Sequence, residues 1–545
     1  MSSGTITAAE QQAIDERIHA RRWFTLATLC LSLLIIVMDN TILNVAIPSL
    51  VRDLGASNSQ LQWIVDGYTL VFAGLLLTAG SFGDRRGRKR ALRIGIVIFA
   101  IGSVLSAMAG SPEHLIFTRA LMGIGGALIM PSTLSILINV FRDPRERGRA
   151  IAIWAGFSGI AVALGPITGG LLLQHFSWSS VFWVNLPISI AALTLGYFFV
   201  PESKDPNAPR LDLPGALLSI ATLAFLLFAI IEGPDAGWTS ASVLGAFAIG
   251  LAALAGFIGW ELHTDHPMLD MSFFKNPRFS AANTAITLSF FALFGSLFLM
   301  TQYWQFVHGY SPIQAGVRLV PYAAALMLTA PLSARLVERV GTKRVVTTGL
   351  LVIAGSLFAL SFISADSSYL RVILNMCVMS VGMGLTMAPA TESVMGSLPR
   401  EKAGVGSAVN DTTRQVGGAL GVAAIGSIVA SVYAASMDKA ASAAGVTGAA
   451  AETARGSLGG ALKVAASLGD KAGDFGNAAR DGFVSGLSAG LRLGTAVVLL
   501  AVFVAWRFLP ARAHDPLALD AVHEDDALAI AGAAAIPGVA GAAGS

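Results

Sequence analysis

Apolar runs of about 20 residues, long enough to cross the hydrocarbon core of a bilayer as a helix, recur along most of the chain. Lipid offers backbone N–H and C=O groups no partner, so such runs have to be helical. Candidate spans fall near 23–48, 61–82, 91–110, 114–140, 149–173, 180–200, 211–231, 239–260, 279–304, 312–337, 343–363, 369–396, 405–433 and 484–509, fourteen in all. Several exceed the minimum length and imply tilt or extension past the bilayer. Only 13% of the 545 residues are charged, well below the roughly 25% of soluble proteins, and mean hydropathy is +0.68. These features define an all-α integral membrane protein.

The loops test the count separately, because cytoplasmic loops collect Lys and Arg. The N-terminal segment carries Arg17, Arg21 and Arg22. Basic residues cluster again after the second span (Arg85, Arg86, Arg88, Lys89, Arg90, Arg93) and the fourth (Arg142, Arg145, Arg147, Arg149). Later even-numbered loops hold Lys204 with Arg210, Lys275 with Arg278, Arg339 with Lys343 and Arg344, and Arg400 with Lys402, before Arg507 and Arg512. In the short odd-numbered loops only Arg52 and Arg371 interrupt the pattern. Both termini are therefore expected in the cytoplasm. No cleavable signal is expected, and the first span serves as its own insertion signal. Cys30 and Cys377 lie far apart in apolar segments and are read as free thiols. A net charge of +3 gives no reason to expect a nucleic-acid partner.

The domain reading is a cytoplasmic segment 1–22, a six-helix half 23–200, a two-helix insertion with its loops 201–278, a second half 279–509 and a disordered tail 510–545. Within the second half, the Ala/Gly-rich stretch 434–482 reads as a long external loop with room for an amphipathic helix. Internal repetition supports this plan. Gly83–Arg90 (GDRRGRKR) aligns without a gap with Val337–Arg344 (VERVGTKR), matching Asp84 to Glu338, Gly87 to Gly341, Lys89 to Lys343 and Arg90 to Arg344. A second echo joins Gly123–Pro131 (GIGGALIMP) to Gly382–Pro389 (GMGLTMAP). Spans one to six and nine to fourteen thus read as two copies of one unit, a known transporter plan with its substrate site at the repeat interface.

Four motifs carry a resemblance to a known family. They are G-S-F-G-D-R-R-G-R-K-R from Gly80, D-N-T-I-L-N-V-A-I-P from Asp39, Arg119 with Gly123, and G-P-I-T-G-G from Gly165. With them the chain resembles the major facilitator superfamily, and within it the fourteen-helix drug:proton antiporter branch (the EmrB/QacA type). The resemblance covers roughly residues 20–430 and, more weakly, the last span. It implies the major facilitator fold as six plus two plus six helices, with two pseudo-symmetric halves. The Gly80 string matches motif A (Gly80, Asp84, Arg85, Gly87, Arg88), and the Gly165 string matches motif C, the antiporter signature (Gly165, Pro166, Gly169, Gly170). One departure is Trp178-Ser179-Ser180, where the family has W-R-W, ahead of Asn185 and Pro187.

Charges inside a membrane are costly and point to function. At about 1.5 Å rise per residue, Asp39 lies about 13 Å, Arg119 about 10 Å and Asp66 about 8 Å below the outer surface. Asp39 and Arg119 are expected to couple proton movement to alternating access, or to form a fixed pair that holds helices together. Asp66 either joins that coupling or contacts a cationic substrate. Asp411 and Arg414, spaced i to i+3, can pair on one helix face. The family places Asp84 against the N-terminus of the thirteenth helix, near Ala403, where the helix dipole favours a carboxylate; that contact is expected to hold the outward-facing state. Gly165, Gly169 and Gly170, with Pro166, are expected to bend the fifth span and admit a neighbour closely. Candidates for the substrate cavity are Asn44, Tyr68, Gln302, Tyr303, Gln305, Asn375, Asp411 and Arg414.

No phosphate-binding G-x-x-x-x-G-K-[ST] loop, zinc-type H-E-x-x-H or nucleophile–base set occurs in the sequence, so neither an ATP-driven pump nor an enzyme is expected. No cofactor or metal is implied. The expectation is a monomeric proton-coupled exporter of lipophilic, often cationic, small molecules in the cell membrane, in contact with lipids. Export of an endogenous lipid, siderophore or metabolite is the alternative, and a non-transporting sensor a further one. Exchange of one proton for one monovalent cation moves no net charge, so a tenfold pH gradient supplies about 1.4 kcal/mol.

Overall fold

A computed structural model describes residues 8–141, 143–204, 211–398 and 403–511. The loop residues Arg142, Arg210, Arg400, Lys402 and Arg512, and the tail read as disordered from 512 onward, lie outside the described residues. The helices are α1 (Ala8–Leu54), α2 (Asn58–Arg86), α3 (Arg88–Ala107), α4 (Pro112–Val140), α5 (Pro144–His175), α6 (Ser180–Trp183), α7 (Asn185–Phe199), α8 (Leu213–Ala236) and α9 (Ala241–His263). They continue as α10 (Pro277–Gln302), α11 (Pro312–Arg318), α12 (Val320–Val340), α13 (Thr342–Leu360), α14 (Tyr369–Met395), α15 (Ala403–Ala444), α16 (Ala449–Gly456), α17 (Leu458–Ala465) and α18 (Ala472–Phe508).

Among the described residues, twelve helices are long and apolar enough to cross a membrane, or thirteen when 312–340, bent by 41°, is taken as one span. Pro331 sits at that bend, where its missing N–H and its ring break the ladder. In α5 the apolar part is the shorter Ile160–His175. Large apolar side chains face outward, among them Phe117 (71% exposed), Leu217 (68%) and Leu328 (73%). Lipid is their solvent, so helix association rests on close packing rather than on the hydrophobic effect.

The two halves repeat in three dimensions. Ser57 and Gln60 form a capping box at the start of α2, and Ser311 and Gln314 form one at the start of α11. Gly87 closes α2 with φ +106°, and Gly341 closes α12 with φ +87°. These three pairs of positions share one constant separation, and so do Gly95 and Gly349. At a second constant separation, Ser111 caps α4 as Ser368 caps α14. Gly95 crosses Gly125 so closely that a Cβ at Gly125 would lie 2.7 Å from the Gly95 carbonyl, and Gly382 meets Gly349 at the same 2.7 Å. The structural match therefore falls on Gly125 and Gly382. α1 packs on α5 as α10 packs on α15.

Two seams join the halves, α2 against α15 and α5 against α11 and α12. Both close toward the end away from the Arg85–Arg93 cluster, here called the far end; the cluster marks the basic end. On one seam Gln62 lies against Gly426, and Ser427 donates to Gln62 at 3.4 Å. On the other, Gly170 lies against Ile313 and Gly316 against the Pro166 carbonyl. Gln305 Nε2 adds a bond to the Val45 carbonyl at 3.0 Å. α8 packs on both α2 and α15, and α9 packs on α8.

Two segments carry more helix than their composition suggested. The stretch 434–482, read as an external loop with room for an amphipathic helix, is largely helical: α15 runs on to Ala444, α16 and α17 follow, and α18 begins at Ala472. Tertiary contacts hold these short helices, since Tyr433 donates to the Ala454 carbonyl at 3.0 Å, Gly459 lies on Val51 and Phe306, and Lys463 bonds the Arg52 carbonyl. At the other terminus α1 begins at Ala8, inside the segment 1–22.

Candidate functional site

Asp39 and Arg119 meet as the expected ion pair, each 1% exposed, with Arg119 Nη1 donating to Asp39 Oδ2. A charge pair removed from water needs its remaining lone pairs and protons satisfied, and the surroundings supply them. Asn185 Nδ2 donates to Asp39 Oδ1 at 2.9 Å and to Ser103 Oγ at 3.1 Å; Ser103 in turn donates to the Phe182 carbonyl at 2.8 Å. Arg119 Nε donates to the Ile64 carbonyl at 3.2 Å, and the guanidinium lies 4.5 Å above the Tyr68 ring. α1, α2, α3, α4 and α7 all contribute to this network. Asn185 is the residue the charge reading passed over. Its signal was the N-x-P fragment, which breaks the sixth span at Val184 and starts α7 with the amide aimed inward.

Asp66 stays outside this network. It is fully buried, and neither carboxylate oxygen has a hydrogen-bond partner. At 100° per residue it shares a stripe of α2 with Gln62, Leu70 and Ala73. Gln62 faces Gly426 and Ser427, while Leu70 and Ala73 cluster with Leu223 and Leu227 of α8 and Ala419 and Ala423 of α15. Asp66 therefore points into the seam between the halves, away from Asp39.

A small cavity of about 40 Å³ lies between the halves, lined by Thr41, Asn44, Val162 and Pro166 on one side and by Leu297, Thr301, Leu319 and Tyr322 among others on the opposite side. Of the expected cavity residues, Asn44 lines it. Tyr68 lies instead beneath Arg119, stacked on Phe72. Gln302 bonds back to its own helix, Tyr303 donates to the Ser364 carbonyl at 2.7 Å, and Gln305 ties the seam. Asn375 bonds the Arg371 carbonyl, and its own carbonyl accepts from Ser356. Asp411 and Arg414 form the i to i+3 pair at 3.6 Å; Arg414 also donates to Thr391 at 3.0 Å and lies 5.6 Å from the Phe290 ring centroid.

The glycines of motif C act as contact surface. A Cβ at Gly165 would strike Thr41, one at Gly169 would meet Ile42, and one at Gly170 would meet Ile313. Gly417 and Gly421 make the same approach to Thr287 and Phe291 of α10 in the second half. α5 runs through Pro166 as one helix. In motif A, Asp84 pairs with Arg88 at 2.7 Å in this conformation. Gly87 takes the left-handed turn and leaves room for Glu202, which accepts from Lys89 N at 3.2 Å. Gly80 lies against Pro131, and Arg85 is exposed.

Two repeated helical halves around a cavity, with a buried ion pair inside the first half, define a polytopic membrane transporter. The chain belongs to the Major Facilitator Superfamily, which it matches over residues 29–422. It is a multi-pass membrane transporter and not an enzyme. It is 37% identical to the multidrug efflux pump LfrA of Mycolicibacterium smegmatis over 91% of this chain and 98% of that protein. With the tetracenomycin C resistance and export protein of Streptomyces glaucescens it shares 34% identity over 76% of this chain and 77% of that one. In fold it resembles the crystal structure of a bacterial homologue of the human lysosomal transporter Spinster, with TM-score 0.64, 16% identity, and coverage of 90% of this chain and 98% of that one.

Proposed function

We propose that the protein is a proton-coupled multidrug efflux antiporter that exports lipophilic, often cationic, compounds by alternating access. Relatives named for drug efflux and resistance support the export reading. In this reading fourteen spans arise when α5 and the bent 312–340 segment are counted with the twelve, laid out as six plus two plus six. Both termini are cytoplasmic, and the basic end is the inner one. The molecule works as a monomer among lipids.

The observation that carries proton coupling is the unpartnered carboxyl of Asp66 in the closed seam. An ionised carboxylate without donors is too costly to bury, so the seam closes over Asp66 only when it holds a proton. Opening at the far end exposes Asp66 to the outside, where it takes that proton; closure then carries it inward. Asp39 and Arg119 set the resting geometry of the first half, on the side of α1 turned away from Thr41 and Asn44, which follow two and five residues along the helix. Breakage of Asp84–Arg88 and docking of Asp84 on the start of α15 would accompany the outward-facing state.

Inside-out vesicles with an imposed pH gradient and a cationic dye test this. Asp66→Asn, which closes the seam without a proton, is expected to keep dye binding but lose gradient-driven transport. Wild-type transport by that variant would refute the assignment of Asp66.

A further inference from the structure

The connector from α9 to α10 is rooted at the basic end on two acidic side chains that the transport reading does not use. Asp212 caps α8: its Oδ1 accepts from Gly215 N at 2.9 Å and from Trp260 Nε1 at 2.8 Å. Glu261, in the last turn of α9, accepts from Leu269 N at 3.0 Å through Oε2. Each carboxyl thus has one satisfied oxygen. The other two, Asp212 Oδ2 and Glu261 Oε1, are buried without a hydrogen-bond partner, on residues only 7% and 3% exposed. They converge on one point. A Cβ at Gly215 would lie 2.5 Å from Asp212 Oδ2 and 2.7 Å from Glu261 Oε1. Glycine at this position is what lets the two acids meet.

The charged groups around the pair are engaged elsewhere or turned to solvent. His263, Asp265, His266 and Lys275 are exposed, and the His263 ring contacts the Gly259 carbonyl. Asp270 accepts from Ser272. On α2, Asp84 pairs with Arg88; on α15, Asp411 pairs with Arg414; the one further acid on α8 before its last turn, Glu232, accepts from Trp63 at the far end. Two carboxylates at one buried point cannot both ionise, whereas a single proton between them forms a hydrogen bond and leaves one charge.

We infer that Asp212 and Glu261 together bind one proton, at a site separate from Asp39 and Asp66, and that this proton latches the 264–270 connector onto the α8–α9 pair. The proton comes from the aqueous phase at the basic end and returns to it; no other bond changes. When it leaves, the two charges repel and Leu269 N loses its acceptor. The connector also touches α2, where Thr78 donates to Met268 Sδ at 3.5 Å. Acidity at the basic end is thereby passed to the helix that forms one seam.

Hydrogen exchange of segment 264–275 in the full-length protein in nanodiscs tests this, measured from about pH 5 to about pH 9 and corrected for the intrinsic rate. Wild-type protection is expected to fall at least about tenfold across that range. Glu261→Gln, whose amide keeps both contacts without a proton, is expected to stay protected throughout. Asp212→Asn supplies the same test from the other side if Glu261→Gln does not fold. Equal pH dependence in wild type and both neutral variants overturns the inference. So does wild-type protection that follows added Mg²⁺ or Na⁺ at constant pH, which would make the ligand a metal cation. Neither readout involves transport, so the result is independent of the antiporter reading.

Discussion

Replacing the Arg119 guanidinium with a shorter neutral amide, as Arg119→Gln, strands Asp39 at 1% exposure. Asp39 would retain the Asn185 bond on Oδ1 and lose the donor on Oδ2. Breaking one partner of a buried pair costs about 3–5 kcal/mol, and loss of the cation above Tyr68 adds about 1 kcal/mol. Asp39→Asn is milder. Arg119 keeps the Ile64 carbonyl and the Tyr68 ring, so the expected cost is about 2 kcal/mol, that of one charged hydrogen bond. The double variant leaves two amides that can bond each other, with no buried charge. It should be more stable than Arg119→Gln alone, with a coupling energy of at least about 2 kcal/mol. Equilibrium unfolding in mixed SDS micelles, followed by tryptophan fluorescence, measures all four corners of the cycle. A double variant no more stable than Arg119→Gln would refute the reasoning, as would a single variant within about 1 kcal/mol of wild type.

Gly125→Ala and Gly382→Ala each push a methyl onto a backbone oxygen at 2.7 Å and should each cost about 1–3 kcal/mol. They lie in different halves, so thermal midpoints of the single and double variants should be additive within error. Gly316→Ala sets a Cβ 2.2 Å from the Pro166 carbonyl and should prise open the far-end seam. Labelling of Gln305→Cys by an impermeant maleimide, with Cys30 and Cys377 replaced, should then rise several-fold over the same background with Gly316 intact; unchanged labelling would count against the seam.

The spans were legible because lipid leaves the backbone no other conformation, and hydropathy reports that directly. Asp39 and Arg119 were legible because helix rise alone put both at one depth. Depth says nothing about azimuth, so Asp66 was grouped with them although it faces the α15 seam. Counting 100° steps from Gln62 to Ala73 would have separated it. Asn185 escaped notice because a neutral amide in a span carries little of the cost that makes a charge conspicuous. Choosing cavity residues by polarity found Asn44 but also took in Tyr68, Tyr303 and Asn375, whose polar atoms or rings are engaged within one half. The breaks at Val184 and Leu319 precede Asn185 and Pro321 and needed backbone chemistry, not hydropathy. Helices α16 and α17 are too short to persist alone, and composition could not disclose the neighbours that hold them.

The placement of α8 makes the transporter lopsided. Of its two seams, the one between α2 and α15 is walled off from lipid by the α8–α9 pair, while the one between α5 and α11 has no such cover among the described helices. The pseudo-symmetric core thus has a front and a back. A lipophilic molecule already dissolved in the membrane would meet a side door on one flank, where Gly316 rests on Pro166, and a blank wall on the other.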